Sequence, residues 1–253
     1  RESCSQFDSL PLTSLTILSL SQTSHGAAED GLAAWNDAWR ADFPDAVARS
    51  EGFAVTSQVN YVALGARLYE PGEYVSGASA VVQRWLSRGF LWDNVRVVGG
   101  AYGGGCNFSP YSGRILFSSY RDPNLEKTVA TYMESARQLA EAAAGGLSSE
   151  ALTQAIVGTV GDLDSPMTAQ QKGAAAFRWR AAGETLESRQ QWRDEVLATS
   201  PSDFAEFGER LHSAFEEKRT TLAVFGGVEQ LRRAKETFAA EHAIELDVTD
   251  MSS

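Results

Sequence analysis

The sequence predicts an α+β domain: a mainly antiparallel sheet covered by helices. Three observations lead there. β-prone apolar stretches cluster early, at 53–68, 101–108 and 112–120. A run of amphipathic helices fills the middle and later part of the chain. Short β-prone segments then return at 220–225 and 244–248, so the late chain rejoins the sheet.

The elements follow in order. Ser14 to Leu20 reads as a strand, and 27–41 as a helix with Trp35 and Trp39 one turn apart on a single face. Phe43-Pro44 stops that helix. Residues 1–50 therefore read as the end of a preceding domain plus a linker, and 51–253 as a C-terminal α+β domain. Phe53 to Leu68 is β-rich, and Pro71-Gly72 turns the chain. A helix over 76–88 buries Val81, Val82, Trp85 and Leu86, and a shorter one over 91–97 carries Arg96 near its end. Strands are expected at 101–108 and 112–120, and Pro110 and Gly113 flank the connection between them, which predicts a hairpin. Asp122 is expected to cap a long helix with Pro123 in its first position. Its buried stripe is Leu125, Val129, Tyr132, Met133, Ala136, Leu139 and Ala140, and Gly145-Gly146 ends it. Helices at 149–160, 166–182 and 186–198 follow. Ser202 is expected to cap another at 203–217, with Phe204, Phe207, Leu211 and Phe215 inward. A helix over 228–240 separates the two late strands.

The 253 residues are 43% hydrophobic and 22% charged, enough apolar content for a real core. The formal net charge of -11 makes nucleic acid a poor partner, since phosphate binding needs a basic surface. An acidic balance suits a cationic peptide or protein, or simply solubility. The two cysteines, Cys4 and Cys106, form no C-x-x-C pair, which excludes a cysteine framework and a cysteine-based zinc site. Cys106 reads as a small buried filler. No apolar run reaches ~18 residues, so no membrane-spanning helix is expected. With Arg1 as its first residue, the chain is expected to carry no signal peptide and to be a piece of a longer polypeptide.

The densest candidate for function is 85–124, where Gly99, Gly100, Gly103, Gly104 and Gly105 surround Tyr102. Such a cluster makes sense where the backbone bends sharply or a ligand lies against it. It is no nucleotide loop: G-x-G-x-x-G must precede a helix, whereas this cluster precedes a strand, and no P-loop Lys follows. No G-x-S-x-G elbow occurs. Metal motifs also fail. His25, His212 and His242 are followed by Gly26, Ser213 and Ala243, and the inverted H-x-x-E-H ending at Glu241-His242 has Phe238 in its first position. Arg96 and Tyr102 remain. An arginine can donate paired hydrogen bonds to a carboxylate or carbonyl, and a tyrosine hydroxyl can stabilise an oxyanion. Spacing alone favours the plainer reading, in which Arg96 is a helix-end cation and Tyr102 packs on the sheet.

The stretches QVNYVALGARLY (58–69), LWDNVRVVGGAYGGGCNFSPYSG (91–113), SYRDPNLEKT (119–128), AIVGTVGDLDSP (155–166) and RDEVLATSPSDFAEF (193–207) change that balance. Across about 52–240 they resemble the C-terminal half of pitrilysin-family zinc metallopeptidases, in the presequence protease and falcilysin group. The resemblance implies a LuxS/MPP-like metallohydrolase-type domain. It implies an enzyme of two halves closing around an unfolded peptide. It implies that zinc is bound by H-x-x-E-H and a distal Glu in the N-terminal half, and that this chain holds none. It implies that Arg96 and Tyr102 bind substrate and stabilise the transition state, with Gly99, Gly100, Ala101 and Gly103 beside the substrate. The partners it implies are the N-terminal half and unfolded peptides, including basic amphipathic targeting peptides, in a mitochondrial matrix or plastid if the source is eukaryotic. The chain alone is then expected to cleave nothing. The other reading left open is a catalytically silent homologue acting as a peptide-binding or interaction subunit.

Overall fold

The computed structural model describes residues 49–251 except Pro71. The expected strand at 14–20, the helix at 27–41 and most of the expected preceding domain lie outside the described residues.

The expected early β-rich stretch is two strands, β1 (Ser50–Ala54) and β2 (Asn60–Arg67). They are split by a turn in which the Ser57 hydroxyl donates to the Val59 carbonyl at 2.7 Å. Helix α1 (Ala78–Arg88) follows. The predicted hairpin is present as β3 (Gly103–Ser109) and β4 (Arg114–Asp122). Helix α2 (Leu125–Glu141) ends in a wide turn where Gly145 takes φ +119°, open only to glycine. Next come α3 (Ser149–Leu163), α4 (Ala169–Ala181), α5 (Leu186–Leu197) and α6 (Pro201–Glu216). Strand β5 (Thr220–Gly226), α7 (Val228–His242) and β6 (Leu246–Asp250) complete the order.

The six strands form one sheet in the order β3-β4-β2-β5-β1-β6. The pairs β3–β4, β4–β2 and β2–β5 are antiparallel, whereas β1 pairs in parallel with both β5 and β6. The sheet is therefore antiparallel over its larger part, with a parallel sector where the late strands return.

Alternation decides which face is covered. Val62, Leu64, Ile115, Phe117, Leu222 and Val224 point to one side and are buried beneath the helices. There they meet Leu86 of α1, Val129 and Tyr132 of α2, Phe204 and Phe207 of α6, and Leu231 and Phe238 of α7. Trp85, expected inside, is half-buried and sets its ring edge-on to Phe204 at 5.4 Å. Ala140, also expected inside, is exposed at the far end of the α2 stripe. Helices α3 and α5 pack on the outer side of α1 through a small separate cluster of Val81, Ala155 and Val196.

Two capping expectations are corrected. Asp122 closes β4 instead of capping α2; the cap position is Asn124, so Pro123 lies before the helix. Helix α6 begins at Pro201 with Ser200 as cap, not at Ser202. The Asp203 carboxylate accepts from the Ser200 backbone N–H at 2.8 Å and from its hydroxyl at 2.9 Å.

Candidate functional site

The segment carrying Arg96 is not an ordinary α-helix. Trp92–Val98 winds as a wider π-type turn. Such turns are rare and concentrate at functional sites. Its end shows why the glycines are needed. Gly99 is buried, and a Cβ there would sit 2.4 Å from the Val95 carbonyl oxygen. Gly100 takes φ +77° and donates to the Arg96 carbonyl at 2.9 Å, closing the helix with a left-handed residue. Ala101 N–H donates to the Val95 carbonyl at 3.1 Å, and Tyr102 N–H to the Tyr120 carbonyl at 3.1 Å. The N–H groups from Gly99 to Tyr102 are thus engaged within the protein. Any contact of Gly99, Gly100 or Ala101 with a ligand runs through carbonyl oxygens or the chain surface. Gly103 differs: nothing lies within 4 Å of where its Cβ would be.

Beneath the loop is a buried polar floor. Asn60 and Asp122 are fully buried, and the Asn60 side-chain amide donates to the Asp122 carbonyl at 2.9 Å. The Asp122 carboxylate accepts from the Asn124 N–H at 2.8 Å and the Thr128 hydroxyl at 2.6 Å. The Asn124 side chain in turn donates to the Gly99 carbonyl. The loop is held to the start of α2, and α2 to the ends of β2 and β4.

Arg96 lays its guanidinium over the Trp92 ring, 4.1 Å from the centroid. Among the described residues no carboxylate pairs with it, so its N–H donors stay available to a ligand. Tyr102 is 67% exposed and stands edge-on to Tyr120 at 5.7 Å. The two candidate residues flank the loop, one at the end of the π-type turn and the other at the entrance of the edge strand β3.

Sequence reading missed two features here. One is the polar floor, whose members are scattered from Asn60 to Thr128. The other is a bulge in β4. Asn60 faces Asp122 but Val62 faces Ser119, so Tyr120 and Arg121 together oppose Tyr61, and Arg121 takes φ +51°. A single non-glycine residue in a left-handed conformation within a strand leaves no mark on periodicity.

Cys106 behaves as the expected buried filler. Burial pushes its thiol up to about 12, against opposing hydrogen bonds with Gln83 and Ser87, so it stays protonated at neutral pH. The edge of β3 is partly closed at this point. Cys106 N–H donates to the Ser87 hydroxyl at 3.1 Å, and its carbonyl accepts from the Gln83 side chain at 2.6 Å. An added strand could therefore not pair along the whole of β3. Among the described residues no group of three or more His, Cys, Asp or Glu side chains is placed to hold a metal ion. Nor is any described helix long and apolar enough to cross a membrane.

Comparison with known proteins places this geometry. Residues 50–226 match the family model described as the PreP C-terminal domain. Presequence protease 1, chloroplastic/mitochondrial, from Arabidopsis thaliana is 39% identical over 176 residues, covering 70% of this chain and 16% of that protein. Protein HypA from Clostridium perfringens is 30% identical over 190 residues, covering 75% of this chain and 19% of its own. The chain therefore spans less than a fifth of the length of either relative. Among solved structures, a peptidase M16 inactive domain from Pseudomonas fluorescens superposes with a TM-score of 0.51 at 12% identity, over 71% of this chain and 44% of that one. That likeness establishes the fold alone. Taken together, the matched span and the identity to a presequence protease show that this chain belongs to the PreP C-terminal domain family.

Proposed function

We propose that this chain is the non-zinc-binding half of a peptide-degrading zinc metalloendopeptidase. It lends Arg96 and Tyr102 to a chamber completed by the N-terminal half. The observation that carries the reading is the availability of both side chains on a braced loop. Arg96 is held by stacking on Trp92 and keeps its N–H donors, and the Tyr102 ring is exposed six residues further along the chain. A cation and a neutral O–H donor presented this way suit a peptide carbonyl that gains negative charge as it is attacked. Arg96 would hold the substrate backbone and Tyr102 would donate to the developing oxyanion. Gly99, Gly100, Ala101 and Gly103 would form the surface the peptide passes, with Gly103 offering the open space. Activation of water by zinc belongs, on this reading, to residues outside those described here.

The boundary near residue 50 fits the same view, with the preceding residues belonging to the end of an earlier domain. The test is a fluorogenic-peptide assay with zinc determined on the same sample, for this chain alone and for a polypeptide that joins it to the zinc-binding half. Turnover and zinc only in the joined protein, with Arg96→Ala and Tyr102→Phe each lowering kcat roughly 10²- to 10³-fold, is the expected result. Unchanged turnover in both variants would remove them from catalysis. A joined protein that binds peptide but neither zinc nor turns over would leave the silent binding subunit as the better description.

A further inference from the structure

We propose that a cavity at the hairpin end of the sheet binds a primary ammonium group on a short alkyl stem. The proposal does not depend on the roles of Arg96 and Tyr102. The cavity, of about 160 Å³, opens between the segment after β2, the first turn of α1 and the first two turns of α6. The Gly113 carbonyl in the β3–β4 turn accepts from the Leu68 and Tyr69 N–H groups at 2.8 and 3.1 Å, which fixes Tyr69 at that end. Tyr102 stands before the other end of β3, about 20 Å away at ~3.3 Å per residue.

The floor of the cavity is buried. Tyr69 and Ser79 are each 5% exposed and Phe207 is 2% exposed. The rim is Tyr74 and Glu206, both exposed, with Asp203 half-buried. Hydroxyls this deep ordinarily have partners. Among the described residues neither the Tyr69 nor the Ser79 hydroxyl makes a hydrogen bond. Nor is either oxygen sealed in the packing, as the Asn60 Oδ1 atom is, so both open on the cavity they line. Burial pushes the Tyr69 hydroxyl up to about 12; Arg210 opposes this, and Glu206, Glu73 and Asp203 add to it. Those carboxylates therefore lie near the same oxygen, which stays a neutral O–H at physiological pH.

Charge and size name the occupant. Glu73, Glu195, Asp203 and Glu206 stand at or beside the cavity, and among the described residues one guanidinium answers them. Arg210 pairs with Glu73 at 2.8 Å and with Glu206 at 3.2 Å. Glu195 accepts only from neutral groups, the Gly77 N–H, the Tyr74 hydroxyl and Gln191. Asp203 takes both Ser200 bonds on Oδ2, which leaves Oδ1 without a partner among the described residues. The starts of α1 and α6 add about half a positive charge each, and the balance stays negative. A neutral occupant would leave that charge unmet. Among the described residues no group of carboxylates is placed to hold a metal ion. An ammonium has three N–H donors around a point, matching the Tyr69 and Ser79 oxygens and Asp203 Oδ1, whereas a guanidinium presents a flat fork. Its stem would lie against the Phe207 and Tyr74 rings. The volume equals about five waters, room for an ammonium and a few methylenes and too little for a drug-sized ligand.

The test is calorimetric titration of the whole chain with pentylammonium chloride at constant ionic strength, with pentanol and tetramethylammonium chloride as controls. Expected is saturation at or below about 1 mM for pentylammonium and at least tenfold weaker binding of both controls. Tyr69→Phe and Ser79→Ala each remove one unpartnered oxygen and should weaken binding roughly three- to thirtyfold. Asp203→Asn, which keeps an acceptor for Ser200, should weaken it by tenfold or more. Amide signals of Ser79 and Phe207 should shift on titration. A lysine blocked at both backbone ends decides the source: affinity equal to pentylammonium points to a side chain presented by a polypeptide, and weaker affinity points to a free amine. Either result keeps the ammonium site. No saturation at 10 mM, equal binding of pentanol or tetramethylammonium, or unchanged affinity in both hydroxyl variants would overturn the proposal. So would displacement by equimolar magnesium chloride, which would make the cavity a metal-ion site, or shifts confined to the loop from Gly99 to Tyr102. Comparing pentylammonium with pentanol on the unaltered chain keeps the test decisive if a variant fails to fold.

Discussion

The Asn124 side-chain amide donates to the carbonyl of Gly99, 25 residues earlier in the chain. This one bond joins the helix cap of α2 to the buried glycine that ends the π-type turn. It makes the loop between Arg96 and Tyr102 an extension of the core, although the loop lies at the surface.

Removing that bond tests the brace. Asn124→Ala loses the donor to Gly99 and is expected to destabilise the fold by about 1–2 kcal/mol. Chemical denaturation should show the lower midpoint, and hydrogen exchange at Gly100 and Ala101 should accelerate. Asn124→Asp keeps the side chain's size but has no N–H to give to the Gly99 carbonyl, so it should restore none of the exchange protection.

Glycine replacement should divide sharply within the cluster. At Gly99 a methyl group meets the Val95 carbonyl oxygen at 2.4 Å and the Asn94 carbonyl oxygen at 2.8 Å, both backbone. Gly99→Ala should cost about 1–3 kcal/mol. Gly103→Ala enters open space and should change stability by less than about 0.5 kcal/mol. Thermal melts of the two variants side by side decide this.

Arg121 sits at φ +51° in the β4 bulge. A left-handed conformation costs an L-residue about 1–2 kcal/mol and costs glycine little. Arg121→Gly should raise the melting midpoint, and Arg121→Val, with its branched Cβ, should lower it. Equal midpoints would mean that the bulge adjusts to its residue.

His242 should contribute to acid sensitivity. Burial at the end of α7 holds its pKa below the ordinary 6.5, opposed by the nearby Glu241 charge. The unfolded chain, with the ordinary value, therefore takes up its proton first as pH falls. Between about 6.5 and the lower folded value, the unfolded state binds more protons and stability decreases. Above that window the residue contributes no pH dependence. His242→Gln should flatten this part of the stability profile while leaving the alkaline side unchanged; an unaltered acid limb would remove His242 as its source.

The sequence by itself determined the α+β class, the hairpin of β3 and β4, and the helices from α2 to α7, because apolar periodicity and Gly, Pro and Ser punctuation are local signals. Its glycine cluster and the residues around it also pointed to Arg96 and Tyr102 through family resemblance. Tertiary structure decided the rest. That Asp122 ends a strand instead of capping a helix follows from the bulge opposite Tyr61 and from burial beside Asn60. Strand order, the parallel placement of β1 between β5 and β6, and the alignment of Tyr61, Tyr120, Phe225 and Phe53 arise from register between segments up to 196 residues apart. Register is an energy of pairs, set by which faces are buried together, and a single chain read in order carries no record of its partners.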